Sequence, residues 1–360
     1  MTVLDLPSPK AEAWRWSDMD TLRAAAASEQ VPAGIDPADL FLDIDGPRLC
    51  FVDGVFAPAH SRPGPVEVTR QIAATDHPLG SLAVGEGWAL HLGPEHAATC
   101  IQIVHVGTGG ENHVPARILL ADDAVASLIE TFAGTGWANR LTAIALSKGA
   151  RLMRSVRLVQ TGGFVSIRDE ADVGEAASLV SIFLGAGGMG SRIDGALTLT
   201  GKGAFAEMGG ALLTSGTQRQ EAAVAVRHEQ IEGTSRQIWR AVAADLSVAS
   251  LAARVEVARG AQKTDGEQSL RGLLLQRTAT VNLKPELEIF ADDVKCAHGA
   301  TVGELDRNVL FYLQSRGIEE PQAKALLTHA FVADALARIG EEPVREAFAA
   351  DAAKWLEAAL

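Results

Sequence analysis

Leu179-Val-Ser-Ile-Phe-Leu-Gly-Ala-Gly-Gly-Met-Gly190 runs directly into Ser191-Arg-Ile-Asp-Gly-Ala-Leu-Thr-Leu-Thr200. The glycines Gly185, Gly187 and Gly190 match G-x-G-x-x-G, a pattern that lets a dinucleotide pyrophosphate meet the first amides of a helix. That chemistry needs a helix after the last glycine. Residues 191–200 instead alternate apolar and polar like a strand, so the glycines read as a tight turn between two strands.

The same signature repeats outward on both sides. Short apolar bursts stand at 156–159, 164–167, 179–184, 196–199, 211–213, 223–226, 238–242, 255–257, 273–275, 278–281 and 287–290, separated by turn residues. Only 246–254 offers helix-length periodicity between them. A doubly wound α/β fold needs a crossover helix between parallel strands, and these are missing. A series of short strands with frequent glycine fits a sandwich, a barrel or a β-solenoid, and no strict sequence repeat selects among them.

The ends of the chain read differently. From Asp306 the period returns to 3.6, with Leu305, Val309, Tyr312 and Leu313 on one face and Gly317 as a stop. A second helix follows Pro321 with Ala323, Leu326, Leu327, Ala330 and Phe331 as its stripe, ending at Gly340. A third carries Val344, Ala347, Phe348, Trp355 and Leu356. At the other end, Ser17 is expected to cap a helix reaching Ser28, with Trp14 and Trp16 as packing anchors ahead of it. Residues 31–65 are rich in Pro and Gly and read as loops with short strands at 40–44 and 49–52. A further helix is expected at 122–132, where Val125, Leu128, Ile129 and Phe132 share a face. The division predicted is 1–100 as an N-terminal mixed region, 101–303 as the strand-rich core, and 304–360 as a C-terminal helical domain.

With 360 residues, 47% apolar and 21% charged, the chain can bury a large core. Its 32 basic and 45 acidic residues give a net charge of −13, which argues against nucleic-acid binding and against an anionic membrane surface. The three cysteines, Cys50, Cys100 and Cys296, are widely spaced and predict no disulfide framework, which fits a reducing compartment. Residues 1–15 lack a secretory signal, and the least charged stretch, 176–191, is too short and too glycine-broken to span a bilayer. A soluble, cytoplasmic protein is expected.

Standard catalytic patterns fail in turn. Gly201-Lys202 lacks the upstream glycine of a phosphate loop, His228-Glu229 has Glu232 where a second zinc-binding histidine belongs, and no G-x-S-x-G turn is present. Glu286 and Glu288 share one strand face and read as a solvated face, with Asp292-Asp293 beyond them for transient cation contact. Cys296-Ala-His298 remains. Thiolate and imidazole are ligands for iron and zinc, and in an extended segment both side chains point the same way. Two ligands do not close a tetrahedral site, so further ligands must come from elsewhere or from another chain.

Four stretches carry a resemblance: Lys284-Pro-Glu-Leu-Glu-Ile-Phe-Ala-Asp-Asp-Val-Lys-Cys-Ala-His-Gly-Ala-Thr-Val-Gly303, Gly233-Thr-Ser-Arg-Gln237, Gly260-Ala-Gln-Lys-Thr-Asp265 and Leu310-Phe-Tyr-Leu-Gln-Ser-Arg-Gly317. Together they strongly resemble the SufB/SufD family of iron–sulfur cluster assembly proteins, over residues 104–339. The glycine after His298, the modest length and the few cysteines are most similar to the SufD branch. The resemblance implies a right-handed parallel β-helix core with N- and C-terminal helical regions. It implies a non-catalytic scaffold that pairs with a SufB-like subunit and docks a SufC-like ATPase, whose ATP-driven dimerisation would distort the pair. His298 would share a transient iron–sulfur cluster with a cysteine of the SufB-like partner, and Cys296 occupies the neighbouring family cysteine. The helices at 306–339 would carry the SufC-like contact, with Leu310, Tyr312, Leu313 and Arg316 as partner-binding residues. No stably bound cofactor is implied, and the chain made alone could pair as a homodimer. The alternative from a different class is a β-helix carbohydrate-active enzyme using paired acids on a solenoid face.

Overall fold

Period-two strands bury one face, and in the computed structural model, which describes residues 5–32, 34–71, 75–96 and 99–360, the buried faces enclose a common lumen. Helix α1 (Met19–Ala26) precedes β1 (Arg48–Val52), β2 (Val55–Phe56), β3 (Val66–Gln71), β4 (Gly85–Leu92), β5 (Thr99–Leu120) and β6 (Val125–Leu146). Shorter strands follow: β7 (Arg151–Leu158), β8 (Phe164–Val173), β9 (Ser178–Gly185), β10 (Gly190–Leu199), β11 (Phe205–Thr214) and β12 (Arg219–His228). The series closes with β13 (Thr234–Ala243), β14 (Val248–Val257), β15 (Asp265–Leu274), β16 (Thr280–Ile289) and β17 (Lys295–Glu304), then α2 (Arg307–Ser315), α3 (Glu320–Leu336) and α4 (Glu342–Ala359).

Each coil adds one strand to each of two parallel sheets. One sheet stacks β7, β9, β11, β13, β15 and β17; the other stacks β8, β10, β12, β14 and β16. β5 and β6 are long enough to pass through both sheets. They bend at a stack of glycines: Gly136 has φ of +87°, and a side chain there would come within 2.7 Å of the Gly109 carbonyl carbon. The result is a parallel β-solenoid of about eight turns with helices at both termini. The expected β-helix is therefore the observed core, and the sandwich and barrel drop out because the strands from β7 to β17 each bond in parallel to their equivalents one coil away.

A structural repeat underlies this that the sequence hides. Asp123, Gly149, Ala176, Gly203, Glu232 and Lys263 all lie at positive φ, spaced by 26, 27, 27, 29 and 31 residues. Their amides donate to the next coil's turn, for example Asp123 to the Lys148 carbonyl at 2.8 Å and Ala176 to that of Lys202 at 2.9 Å. One left-handed corner thus recurs through six successive coils with little regard to residue type, at a local cost that the ladder hydrogen bonds offset.

Leu128, Phe132, Ile167, Phe183, Leu251 and Leu270 fill the lumen, each contributing roughly 1.5–3 kcal/mol by burial. The β7–β17 sheet is also covered outside. Ile129, Ile182, Leu184, Leu213 and Val242 pack against Val332, Leu336, Phe348 and Trp355 of α3 and α4. Ion pairs between Arg157 and Asp351 (2.7 Å), Arg240 and Asp334 (3.0 Å), and Arg338 and Glu207 (2.9 Å) fasten the helices to three different coils.

Several sequence expectations are corrected. Residues 122–132 are a turn and the start of β6: Asp123 is left-handed, and the helix-like spacing arises because Leu128 and Phe132 face the lumen while Ile129 faces α3 and α4. Residues 246–254 belong mostly to β14. The bursts at 278–281 and 287–290 are two ends of one strand, β16, and 40–44 is no strand. Asp18, not Ser17, caps α1, accepting from the Thr21 amide at 3.0 Å. Ser17 is drawn instead into a buried cluster with Arg192 and Glu221, donating to Glu221 at 2.6 Å. Trp14 anchors as expected beneath the Arg192 guanidinium, 3.8 Å from its ring centroid, whereas Trp16 is half-buried. On α3 the packed stripe is Ala323, Thr328, Val332, Ala335 and Leu336; Leu326 and Ala330 are exposed, and the helix ends at Leu336, ahead of Gly340.

Candidate functional site

The two ends of the solenoid are built differently. At the N-terminal end β4 pairs with β5 and is itself covered by the antiparallel β3. At the C-terminal end β16 pairs only with β14 and β17 only with β15 among the described residues. Two ten-residue strands therefore present a row of unpaired backbone groups, an arrangement that invites strand addition. Pro285 removes one donor from β16, as edge strands tolerate. The lumen is uncapped here as well. Trp239 and Leu270 are sealed at 1% and 0% exposure, while Val302 and Ile289 on the terminal coil are 44% and 39% exposed.

Register places both predicted ligands on the inner row of this open coil. Cys296 pairs with Gly266, and His298 with Gln268. Gly266 and Gln268 are lumen-facing and buried, so their partners one coil on point along the same axis. His298 is exposed. Cys296 is half-buried against Val255, Leu287 and Val294, and that burial pushes its thiol upward from 9.0; the Gly266 amide works the other way and the Asp265 charge adds to the rise. The sulfur is thus held as a thiol until a metal or base takes its proton. Among the described residues no group of three or more His, Cys, Asp or Glu could hold a metal ion. Cys296 and His298 alone do not close a metal site, though thiolate and imidazole are donors of the right chemistry for iron.

The other sequence candidates fall elsewhere. Gly185–Gly190 is a turn, with the Gly188 amide donating to the Gln160 carbonyl at 2.7 Å and β10 following it, as expected. Glu286 and Glu288 share a face with Lys284 and pair with Lys284 (3.2 Å) and Arg254 (2.6 Å) as a solvated ladder. All three cysteines are free.

Helix α2 buries no residue. Asp306 caps it, and Gly317, the expected stop, follows it at φ +85°. Tyr312 is 56% exposed, with the Arg316 guanidinium 5.2 Å from its ring centroid. Leu313 is half-buried, and Leu310, also half-buried, lines a cleft of about 410 Å³ with Leu305, Pro321 and Lys324. Phe311 is 71% exposed; it falls within the quoted motif, but a helical face alone gives no reason to select it.

Also missed is a charge cluster inside the lumen. Arg154 donates to Glu130 at 2.6 Å and contacts Asp169; Arg140 contacts Glu130 and donates to His105 Nε2 at 2.7 Å. Burial, then the charges of Arg140 and Arg154, hold His105 well below the usual imidazole range, so it is a neutral acceptor. Single polar residues in alternating strands gave no signal that they meet.

The family model for the SUF system FeS cluster assembly, SufBD core domain, matches residues 105–331. The chain is 28% identical to the iron-sulfur cluster assembly protein SufD of Escherichia coli over 95% of this chain and 87% of that protein. It is 41% identical to protein ABCI7, chloroplastic, of Arabidopsis thaliana over 32% of this chain and 24% of that one. A SufBD family protein of Synechocystis is 38% identical over 32% of this chain and 25% of its own length.

Proposed function

The chain belongs to the SufB/SufD family of SUF iron–sulfur cluster assembly proteins, most like SufD, and from that membership we propose that it is a non-catalytic scaffold subunit. The observation that carries the reading is the uncapped end of the solenoid. Exposed core and two unpaired strand edges are costly in water, and a second solenoid of the same family is the partner best shaped to continue both sheets. We assign that place to a SufB-like subunit. The nascent cluster is cargo: His298, with Cys296 beside it, supplies this chain's ligands, and the partner supplies the remainder.

Energy enters from outside the chain. The aromatic face of α2, with Tyr312 and Arg316 and with Phe311 beside them, is the proposed seat of a SufC-like ATPase, while Leu310 and Leu313 support it from within. No helix is long and apolar enough to cross a membrane among the described residues.

Co-expression of the chain with the SufB-like and SufC-like proteins of its own organism tests the proposal. A three-component complex should purify together, and His298→Ala should leave assembly intact while reducing iron–sulfur cluster formation on the complex. Absence of association when all three are present would overturn the reading.

A further inference from the structure

The inner row that ends in His298 is a polar ladder. Going back one and two coils from His298, the register gives Gln268 and Gln237. Both amides are buried, at 1% and 0% exposure. Each uses Nε2 to reach across the lumen to the facing sheet: Gln237 donates to the Arg254 carbonyl at 3.0 Å, and Gln268 to the Glu286 carbonyl at 3.2 Å. Because a carbonyl accepts only from the NH₂ group, these contacts fix which way each amide is turned. Oε1 of each is left buried without a partner.

A buried acceptor without a donor costs roughly 1–3 kcal/mol, and two in one column need an explanation. Stacked, in-register parallel strands supply one. Side-chain amides on successive strands hydrogen-bond along the stack, each N–H to the oxygen one strand below. No such bond joins Gln268 to Gln237 in this structure, where Gln268 Nε2 is spent on the Glu286 carbonyl, so a donor for the open Oε1 of Gln268 is to be sought on the next rung. That rung is His298.

We infer that Gln268 is a positioning residue for His298: its Oε1 accepts a ring N–H of the imidazole, fixing one neutral tautomer and turning the other ring nitrogen toward the open end of the solenoid. A metal-ligating histidine ordinarily donates its second nitrogen to such an acceptor, which sets ring orientation and raises ligand basicity. Here the acceptor belongs to the same chain and is built in before any metal arrives. The inference rests on the proposed role of His298, and it adds the residue that aims it.

The test uses the full-length chain labelled with ¹⁵N-histidine, with His298 assigned by its loss in His298→Ala. Long-range ¹H–¹⁵N spectra at pH 8 should show one dominant neutral tautomer for His298, and Gln268→Met should convert it to a mixture. A mixture in the wild-type chain overturns the inference without recourse to any variant, and so does a single tautomer that survives Gln268→Met. A second readout is cobalt(II) titration of the co-purified complex, where Gln268→Met should weaken binding by about tenfold. Unchanged cobalt affinity in Gln268→Met, with His298→Ala losing it, sinks the positioning role alone. Unchanged affinity in His298→Ala sinks the ligand role of His298, while the tautomer spectra still decide whether Gln268 holds the ring.

Discussion

Mild acid should loosen the coils beneath the open end, and His228 gives the size of the effect. This residue closes β12 at 0% exposure, with Nε2 2.8 Å from Ser235 Oγ and Nδ1 without a partner. Ser235 lies on the inward row that continues through Gly266 to Cys296. Burial lowers the His228 pKa from 6.5 to about 4, with the Asp265 charge opposing the fall. The folded chain therefore holds the imidazole neutral where the unfolded chain protonates it. Stability from this group is complete above pH 6.5, begins to be lost below it, and is exhausted near the folded value. Each pKa unit of difference is about 1.4 kcal/mol, so linkage gives a loss of about 2 kcal/mol by pH 5 and about 3 kcal/mol by pH 4. Urea denaturation followed by tryptophan fluorescence at pH 7.5, 6 and 5 measures it, with His228→Gln as reference because other groups titrate in both proteins. The stability gap between wild type and variant should shift by about 2 kcal/mol across that range. A gap constant to within about 0.5 kcal/mol would refute the argument.

Three further outcomes are expected. Arg338→Ala leaves Glu207 buried without its cationic partner and should cost about 1–3 kcal/mol in thermal or urea unfolding, discounted because Arg338 itself is half exposed; Glu207→Gln should cost less, and equal losses would argue that packing rather than charge is at stake. The pair Phe311→Ala and Tyr312→Ala should leave the unfolding midpoint unchanged and weaken binding of the SufC-like protein by at least about 2 kcal/mol in calorimetry; a fall in midpoint would mean that the aromatic face is structural. Gly136→Ala should destabilise by at least about 1–3 kcal/mol, since its left-handed backbone abuts Gly109; normal stability would show that the corner can relax.

The strand turns and the C-terminal helix starts were legible because they rest on local chemistry. Gly185–Gly190 reads as a turn from the alternation after it, the helical period returns at Asp306, the residue ahead of α2, and Gly317 ends that helix as a left-handed stop should. What was illegible is what depends on neighbours one coil away. The repeat escapes the sequence because the conserved feature is a backbone angle, occupied by Asp123, Ala176, Glu232 and Lys263 alike. Residues 122–132 mimic a helix because α3 and α4, some two hundred residues later, bury the outer face of that strand. Cys296 and His298 could be placed on one side of an extended segment from spacing alone. That this side is the inner row of a terminal coil, with Gln268 below it, needs the register.

The attachments of the C-terminal helices suggest why the proposed ATPase seat and the ligand strand lie where they do. α3 and α4 are fixed to coils well below the end, through ion pairs from β7, β11 and β13 and a shared apolar cluster. Among the described residues α2 has no such ion pair and buries no side chain, and it follows β17 after only Leu305 and Asp306. A protein seated on α2 would therefore be tethered by two residues to the strand that carries His298, and a displacement of that helix has almost no linker in which to dissipate. Among the described residues β17, like β16, is bonded along one edge alone. A pull on α2 would act first on the ligand strand and on the seam beyond it, while α3 and α4 keep the lower coils in place. Lengthening the Leu305–Asp306 junction with flexible glycines should then leave docking of the SufC-like protein intact and uncouple its ATP hydrolysis from cluster formation. Unimpaired cluster formation with a long junction would mean that the coupling runs through α3 and α4 instead.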